Sequence, residues 1–258
     1  MARPEQLIAV FDSGLGGISV LRELVRQMPH EQFLYFGDSV NAPYGSRSTA
    51  EVRALTMERV EMLMPRGLKA LVVACNTATS AAIEELRRRY PDIVIVGIEP
   101  ALKLAAEHCP EGRIIVMATE VTLREKKFMR LMEQYGASRD IIPLPCPELV
   151  RFVEKGLLDG PEVEDYLRTI LPPELCAGAG AIVLGCTHFP FLKTAIRRVA
   201  GPEVRFFDGS GGTSAQTRRL LCERGQLRQE GDLRVILENS LGTPEILALS
   251  AKLLEHDT

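Results

Sequence analysis

Short apolar runs rich in β-branched residues recur along this chain, each followed by a stretch with helical periodicity. LIAVF (7–11) leads through a glycine turn into ISVLRELVRQM, and FLYFGDS (33–39) precedes a helical segment from about Ser48 to Met64. ALVVAC (70–75) precedes SAAIEELRRRY, IVIVGIE (93–99) precedes PALKLAAEH, and RIIVMAT (113–119) precedes a charged helix through Tyr135. IIPLP (141–145), AIVLGC (181–186) and VRFFD (204–208) continue the pattern, followed by ELVRFVEKG, FLKTAIRRV and a helix near Ser214 to Arg224. Strands alternating with helices predict an α/β protein with mainly parallel sheets flanked by helices.

The pattern also repeats itself. Cys75 and Cys186 stand 111 residues apart, and the same offset lays ALVVAC on AIVLGC, Pro91 on Pro202, and IVIVG (93–97) on VRFFD (204–208) without a gap. That shared register predicts two related halves, each a four-strand α/β unit. In parallel α/β units, ligands bind beyond the carboxyl ends of the strands. The residues to read are therefore Asp12, Ser13, Gly37, Asp38, Ser39, Cys75, Asn76, Thr77 and Glu99 in one half. In the other they are Thr119, Cys146, Cys186, Thr187, His188 and Asp208.

With 258 residues, 46% hydrophobic and 25% charged, the chain is long and apolar enough to bury a sizeable core. Its 31 basic and 34 acidic residues, net −3, give no support to a nucleic-acid or anionic-membrane surface. No apolar run approaches the roughly 20 residues that cross a bilayer, and MARPEQLIAVFD lacks a signal-peptide pattern. A cytoplasmic protein is expected, with six reduced cysteines and no disulfide framework.

GLGGIS (14–19) nearly matches the dinucleotide fingerprint, with Ser19 in the third glycine's place. Asp12 argues against that use, because a carboxylate beside the turn repels a pyrophosphate. Gly14 and Gly17 serve equally well as members of a tight strand-to-helix turn. Cys186 and His188, with Cys75, could hold a zinc ion, but four histidines and no second close Cys/His pair make this the minor reading. No metal is expected.

Each cysteine alone reads as a small hydrophobe buried at a strand end. The matched pair reverses that reading. A thiolate is the reactive form of cysteine, favoured near a helix N-terminus, where backbone N–H groups also bind carboxylates. Two acid/base groups on opposite faces can remove a proton from one side and return one to the other, inverting a stereocentre. The small polar residues Asn76, Thr77, Thr79 and Thr187 suit a small anionic substrate.

These same residues carry a family likeness. FDSGLGG (11–17), GDSVNAPYG (37–45), ACNTAT (74–79), IEPA (98–101), ATEVT (118–122), CPELVRFVEKG (146–156) and GCTHFP (185–190) resemble, in order, the motifs of the cofactor-independent aspartate/glutamate racemases, and of glutamate racemases in particular. The likeness is weaker from about Gly231 onward. It implies that Cys75 takes the α-proton of D-glutamate and Cys186 that of L-glutamate, assisted by Asp12 and His188, with Glu154 as a further catalytic acid. It implies substrate contacts from Ser13, Tyr44, Gly45, Asn76, Thr77, Thr119, Thr122 and Thr187. It also implies two domains, 1–98 plus 209–258 and 99–208, facing each other across a cleft. A homodimer with no cofactor, making D-glutamate for peptidoglycan, is expected on the same ground. The rivals are a racemase of aspartate or another small acidic amino acid, a non-catalytic amino-acid-binding protein and, more distantly, a dinucleotide enzyme. A pyridoxal-phosphate enzyme is disfavoured, because neither Lys69 before a strand nor Lys193 inside a helix is placed for a Schiff base.

Overall fold

The computed structural model describes residues 6–256 apart from 110, 125 and 138. Among these residues nine parallel strands form two sheets: β1 (Leu7–Asp12), β2 (Gln32–Gly37), β3 (Leu68–Val73), β4 (Val94–Gly97), β5 (Arg113–Ala118), β6 (Ile141–Pro145), β7 (Ala179–Leu184), β8 (Arg205–Asp208) and β9 (Arg234–Asn239). The first sheet has the order β4-β3-β1-β2-β9 and the second β6-β5-β7-β8. The central strands are buried along almost their whole length, as strands covered by helices on both faces must be.

Read from the β4 and β8 edges inward, the two orders are the same, strand for strand. β3 and β7 occupy positions that differ by the 111-residue offset at both ends, as do β4 and β8. The pairing slips at equivalent places too. Between β1 and β3 the register skips Lys69, and between β5 and β7 it skips Gly180. At the strand ends, Ala74 N–H donates to Phe11 O at 2.8 Å and Gly185 N–H to Met117 O at 2.7 Å. Each bond fixes the backbone one residue before a cysteine.

The expected four-strand unit describes the second sheet but not the first. β9, from the tail, adds a fifth strand to the edge of β2, in register from Gln32↔Arg234 to Gly37↔Asn239. After β4 the chain crosses to the second sheet, and after β8 it returns into the helix Ser210–Glu223, which packs on the helix Ile18–Gln27 and against β3 and β4.

A buried ion pair ties the return segment down. Lys69 Nζ lies 2.6 Å from Glu31 Oε2, both side chains wholly buried, and donates to Gln226 O at 2.9 Å. Glu31 Oε1 accepts from Arg228 N–H at 2.9 Å. Among the described residues no helix is long and apolar enough to cross a membrane.

Candidate active site

Cys75 follows β3 and caps the helix Asn76–Arg89. Its sulfur accepts the Ala78 N–H at 3.4 Å and donates to Ser13 Oγ at 3.5 Å. Cys186 follows β7, but no helix starts there. Phe189 and Pro190 open a 3-10 turn, Phe189–Leu192, before the helix Lys193–Ala200. The expectation that both thiols occupy helix N-termini therefore holds for Cys75 alone. Cys186 instead has the His188 ring, Nδ1 lying 3.6 Å from its sulfur. All six cysteines are unpaired.

Both thiols line one cavity, together with His188 and all eight residues expected to contact substrate: Ser13, Tyr44, Gly45, Asn76, Thr77, Thr119, Thr122 and Thr187. Pro43, Val150 and Gly185 complete its wall and were not anticipated as site residues. Asp12 and Glu154 stand one side chain behind it. Asp12 Oδ2 accepts from Thr187 Oγ at 3.1 Å and Oδ1 from Gly14 N–H at 3.0 Å. Glu154 Oε1 accepts from Leu15 N–H at 2.7 Å and lies 2.7 Å from His188 Nε2.

The glycine loop owes its composition to these carboxylates and their neighbours. A Cβ on Gly14 would strike the Glu154 carboxylate, one on Gly16 would strike the His188 ring, and one on Gly17 would come within 2.6 Å of Asp12 Cβ. None of the three has a left-handed φ, so close approach dictates glycine here, rather than turn conformation. The place a pyrophosphate would take at this loop is held by Glu154, whose carboxylate receives the Leu15 N–H. Dinucleotide binding does not fit. Among the described residues, no group of His, Cys, Asp or Glu is arranged to hold a metal ion.

The electrostatics of the two thiols differ. Burial, reinforced by the nearby Asp12 carboxylate, pushes the Cys75 thiol up to about 12. Burial likewise raises Asp12 above the ordinary carboxylate range, although His188 and the Gly14 N–H pull the other way. For His188, burial disfavours the charge, but the Cys186 sulfur and the Glu154 carboxylate outweigh it and hold the ring well above the usual histidine value. The surroundings thus favour the imidazolium form of the ring beside Cys186 and the thiol form of Cys75.

Asn76 Oδ1 is buried on the cavity wall with no hydrogen-bond partner among the described residues. Such an acceptor costs stability unless a ligand donor satisfies it, and a substrate ammonium is one. Thr119 Oγ1 lies 3.3 Å from Thr77 Oγ1 and 3.0 Å from Thr122 Oγ1, a hydroxyl cluster fed by both sheets. The Tyr44 hydroxyl is engaged elsewhere, donating to Asp38 at 2.8 Å. With about 20 Å³, the cavity has room for about one water molecule. A ligand of several heavy atoms enters only if the walls move apart.

A profile of the family described as Asp/Glu/Hydantoin racemase matches residues 8–211. This chain belongs to that family. It is 48% identical over 258 residues to a glutamate racemase of Clostridium botulinum (strain Alaska E43 / Type E3), covering 99% of each chain. Among solved structures it is similar to glutamate racemase from Thermus thermophilus in complex with beta-chloro-D-alanine, at 36% identity and TM-score 0.82, covering 98% of this chain and 94% of that one. Glutamate racemase from Bacillus anthracis gives 30% identity and TM-score 0.86, with 99% and 96% covered. The family is one of isomerases.

Proposed function

We propose that this racemase interconverts L- and D-glutamate without a cofactor, using Cys75 and Cys186 as the two bases. The observation that carries the reading is the pair of thiols, one from the equivalent end of each sheet, lining a single small polar cavity. Relatives of nearly equal length named glutamate racemase support the choice of substrate.

In one direction the Cys186 thiolate, steadied by the His188 imidazolium, removes the α-proton of L-glutamate. The Cys75 thiol then protonates the opposite face of the carbanion, giving D-glutamate and a Cys75 thiolate. In the other direction Cys75 must first lose its proton. Asp12, whose carboxyl has a raised affinity for protons, is suited to take and return it. Asn76 Oδ1 accepts from the substrate ammonium, and the hydroxyls of Ser13, Thr77, Thr119, Thr122 and Thr187 bind the carboxylates, with backbone support at Tyr44 and Gly45. Desolvated, fixed dipoles of this kind stabilise the carbanion's charge.

The same reading includes a division of the chain into 1–98 plus 209–258 and 99–208. The packing of the Ser210–Glu223 helix and of β9 with the first sheet supports it. It also includes action in the cytoplasm as a homodimer, supplying D-glutamate for peptidoglycan.

The test is α-proton exchange on each glutamate enantiomer in heavy water, for the wild type, Cys75→Ser and Cys186→Ser. Deuterium incorporation with loss of optical activity, lost in each variant, is the expected result. Turnover of aspartate alone would change the substrate, and tight binding without exchange would end the racemase reading.

A further inference from the structure

We propose that Ser39 and Asn239 are positioning residues for the Cys186 face of the reaction, acting through Glu154 and His188. The proposal rests on the two-thiol reading above. A hydrogen-bonded line runs from the end of β9 to the second thiol. Asn239 Nδ2 donates to Ser39 Oγ at 2.9 Å, and Ser39 Oγ donates to Glu154 Oε2 at 3.3 Å. Glu154 Oε1 lies 2.7 Å from His188 Nε2, whose other ring nitrogen is 3.6 Å from Cys186 Sγ.

The directions of these bonds follow from what each group can give. A hydroxyl has one proton to donate. Because Ser39 Oγ already accepts from the Asn239 amide, its proton is directed at Glu154. Both oxygens of the carboxylate are then engaged, Oε1 with Leu15 N–H and the His188 ring and Oε2 with Ser39. Glu154 is the last residue of the helix Pro147–Glu154, beside the second sheet, whereas Leu15, Ser39 and Asn239 belong to the first. The first sheet therefore sets where the carboxylate points. The carboxylate in turn sets the orientation of the ring beside Cys186.

Asn239 is built to hold this role. It is buried, its Oδ1 accepts Leu241 N–H at 3.0 Å, and its register partner across the sheet is Gly37. A Cβ on Gly37 would strike the Gly14 carbonyl oxygen first and would also lie 3.0 Å from the Asn239 amide nitrogen, so the glycine serves both neighbours. The two strand ends are bound together beyond that point, Val40 N–H donating to Ser240 Oγ and Ser240 N–H to Gly37 O, each at 2.9 Å. Among the described residues no such line of hydrogen bonds reaches Cys75, whose own bonds go to Ser13 and Ala78. The effect of the line therefore falls chiefly on the Cys186 face of the substrate.

The experiment compares Ser39→Ala, Ser39→Thr and Asn239→Ala with the wild type, and repeats Ser39→Ala in a Glu154→Gln background. Steady-state rates are measured on both enantiomers, with and without α-deuterium, alongside melting temperatures and the ring-nitrogen signals of His188. Ser39→Ala is expected to lower kcat/KM about tenfold and to shift the His188 signals. The primary isotope effect should rise on L-glutamate and fall on D-glutamate, because only the Cys186 step has become slower. Ser39→Thr, which keeps the hydroxyl, should return most of the rate. In the Glu154→Gln background the Ser39→Ala effect should nearly vanish, since the two act as one unit. Asn239→Ala should repeat the one-sided isotope pattern; where it fails to fold, the Ser39 series decides. Additive losses in Ser39→Ala and Glu154→Gln, or equal isotope changes on both enantiomers, would overturn the proposal. A wild type that exchanges no α-proton would instead overturn the two-thiol reading, and unmoved His188 signals in Ser39→Ala would then overturn the line itself.

Discussion

Gly45→Ala would wedge the two halves of the molecule apart. Gly45 has no left-handed φ, so its backbone accepts alanine without strain. The added Cβ would nonetheless lie 2.8 Å from both Cβ and Cγ2 of Thr119 and 3.3 Å from its hydroxyl. Carbon atoms settle at about 3.5–4.0 Å, so roughly 1 Å of extra separation is needed. Overpacking of this kind costs about 1–3 kcal/mol. Moving Thr119 also loosens its hydroxyl contacts with Thr77 and Thr122. Inside a single core that cost would appear as lost stability. Here Gly45 belongs to the first sheet's half and Thr119 to the second, and the cleft must open in any case to take substrate. The strain is relieved by parting, so it falls on the closed, reactive state. Taking about 2 kcal/mol gives roughly a thirtyfold loss of kcat/KM, with little change in Tm. Gly136→Ala, where a Cβ meets nothing within 4 Å, is the control. Racemisation kinetics and a thermal melt on the same preparations decide the matter. The reasoning fails if Gly45→Ala keeps kcat/KM within about threefold of wild type, or if Tm falls while activity per folded molecule is unchanged.

Asp12→Asn should cost activity yet gain stability as pH rises. The folded-state pKa of Asp12 is raised by burial, so the stability tied to its protonated form is complete below the unfolded carboxylate value and is lost as pH rises through the folded one. Asparagine does not titrate, so the Tm of the variant relative to wild type should be higher at pH 8 than at pH 4; a constant difference would contradict the assignment. Lys69→Met leaves Glu31 buried without its cation, which costs about 3–5 kcal/mol, or roughly 6–20 °C in Tm for a chain of this size. Adding Glu31→Leu should restore most of the loss by calorimetry, and kcat/KM of the folded fraction should stay within about twofold of wild type in both.

The parts of this fold that could be read from the sequence are those whose pattern is local or repeated. β3, β4 and β7 each carry a run of buried residues, and the common offset extended the reading to β8, where Phe207 alone is buried. The strand-end rule then reached Asp12, Ser13, Cys75, Asn76, Cys186 and His188, because a parallel sheet exposes those positions to one crevice. β9 escaped, since nothing in RVILEN says that its partner is β2, about two hundred residues earlier in the chain. Glu154 followed only from the family likeness: it ends a helix, not a strand, and no period or spacing aims it at His188. Ser39 was reached by the strand-end rule without a role, and Asn239 carried no local signal; the meaning of both lies in a bond made between them. The glycine loop shows how a partial signal should be weighed. GLGGIS looked like a phosphate cradle, and the dissenting residue, Asp12, was the better guide to what fills it.

The shared strand order bears on how a catalyst for two mirror-image substrates can arise. Half of this chain, paired with a copy of itself about a rotation axis, would already set one thiol on either side of a central crevice. Such an ancestor would be even-handed by construction, without separate adaptation to each enantiomer. Fusion into one chain would free the copies to diverge. The slip that holds Lys69 in one sheet holds Gly180 in the other, and the position after β2 is Asp38 where that after β6 is Cys146. Under the two-thiol reading, everything that distinguishes the treatment of L from D is a later embroidery on a device that began by being unable to tell left from right.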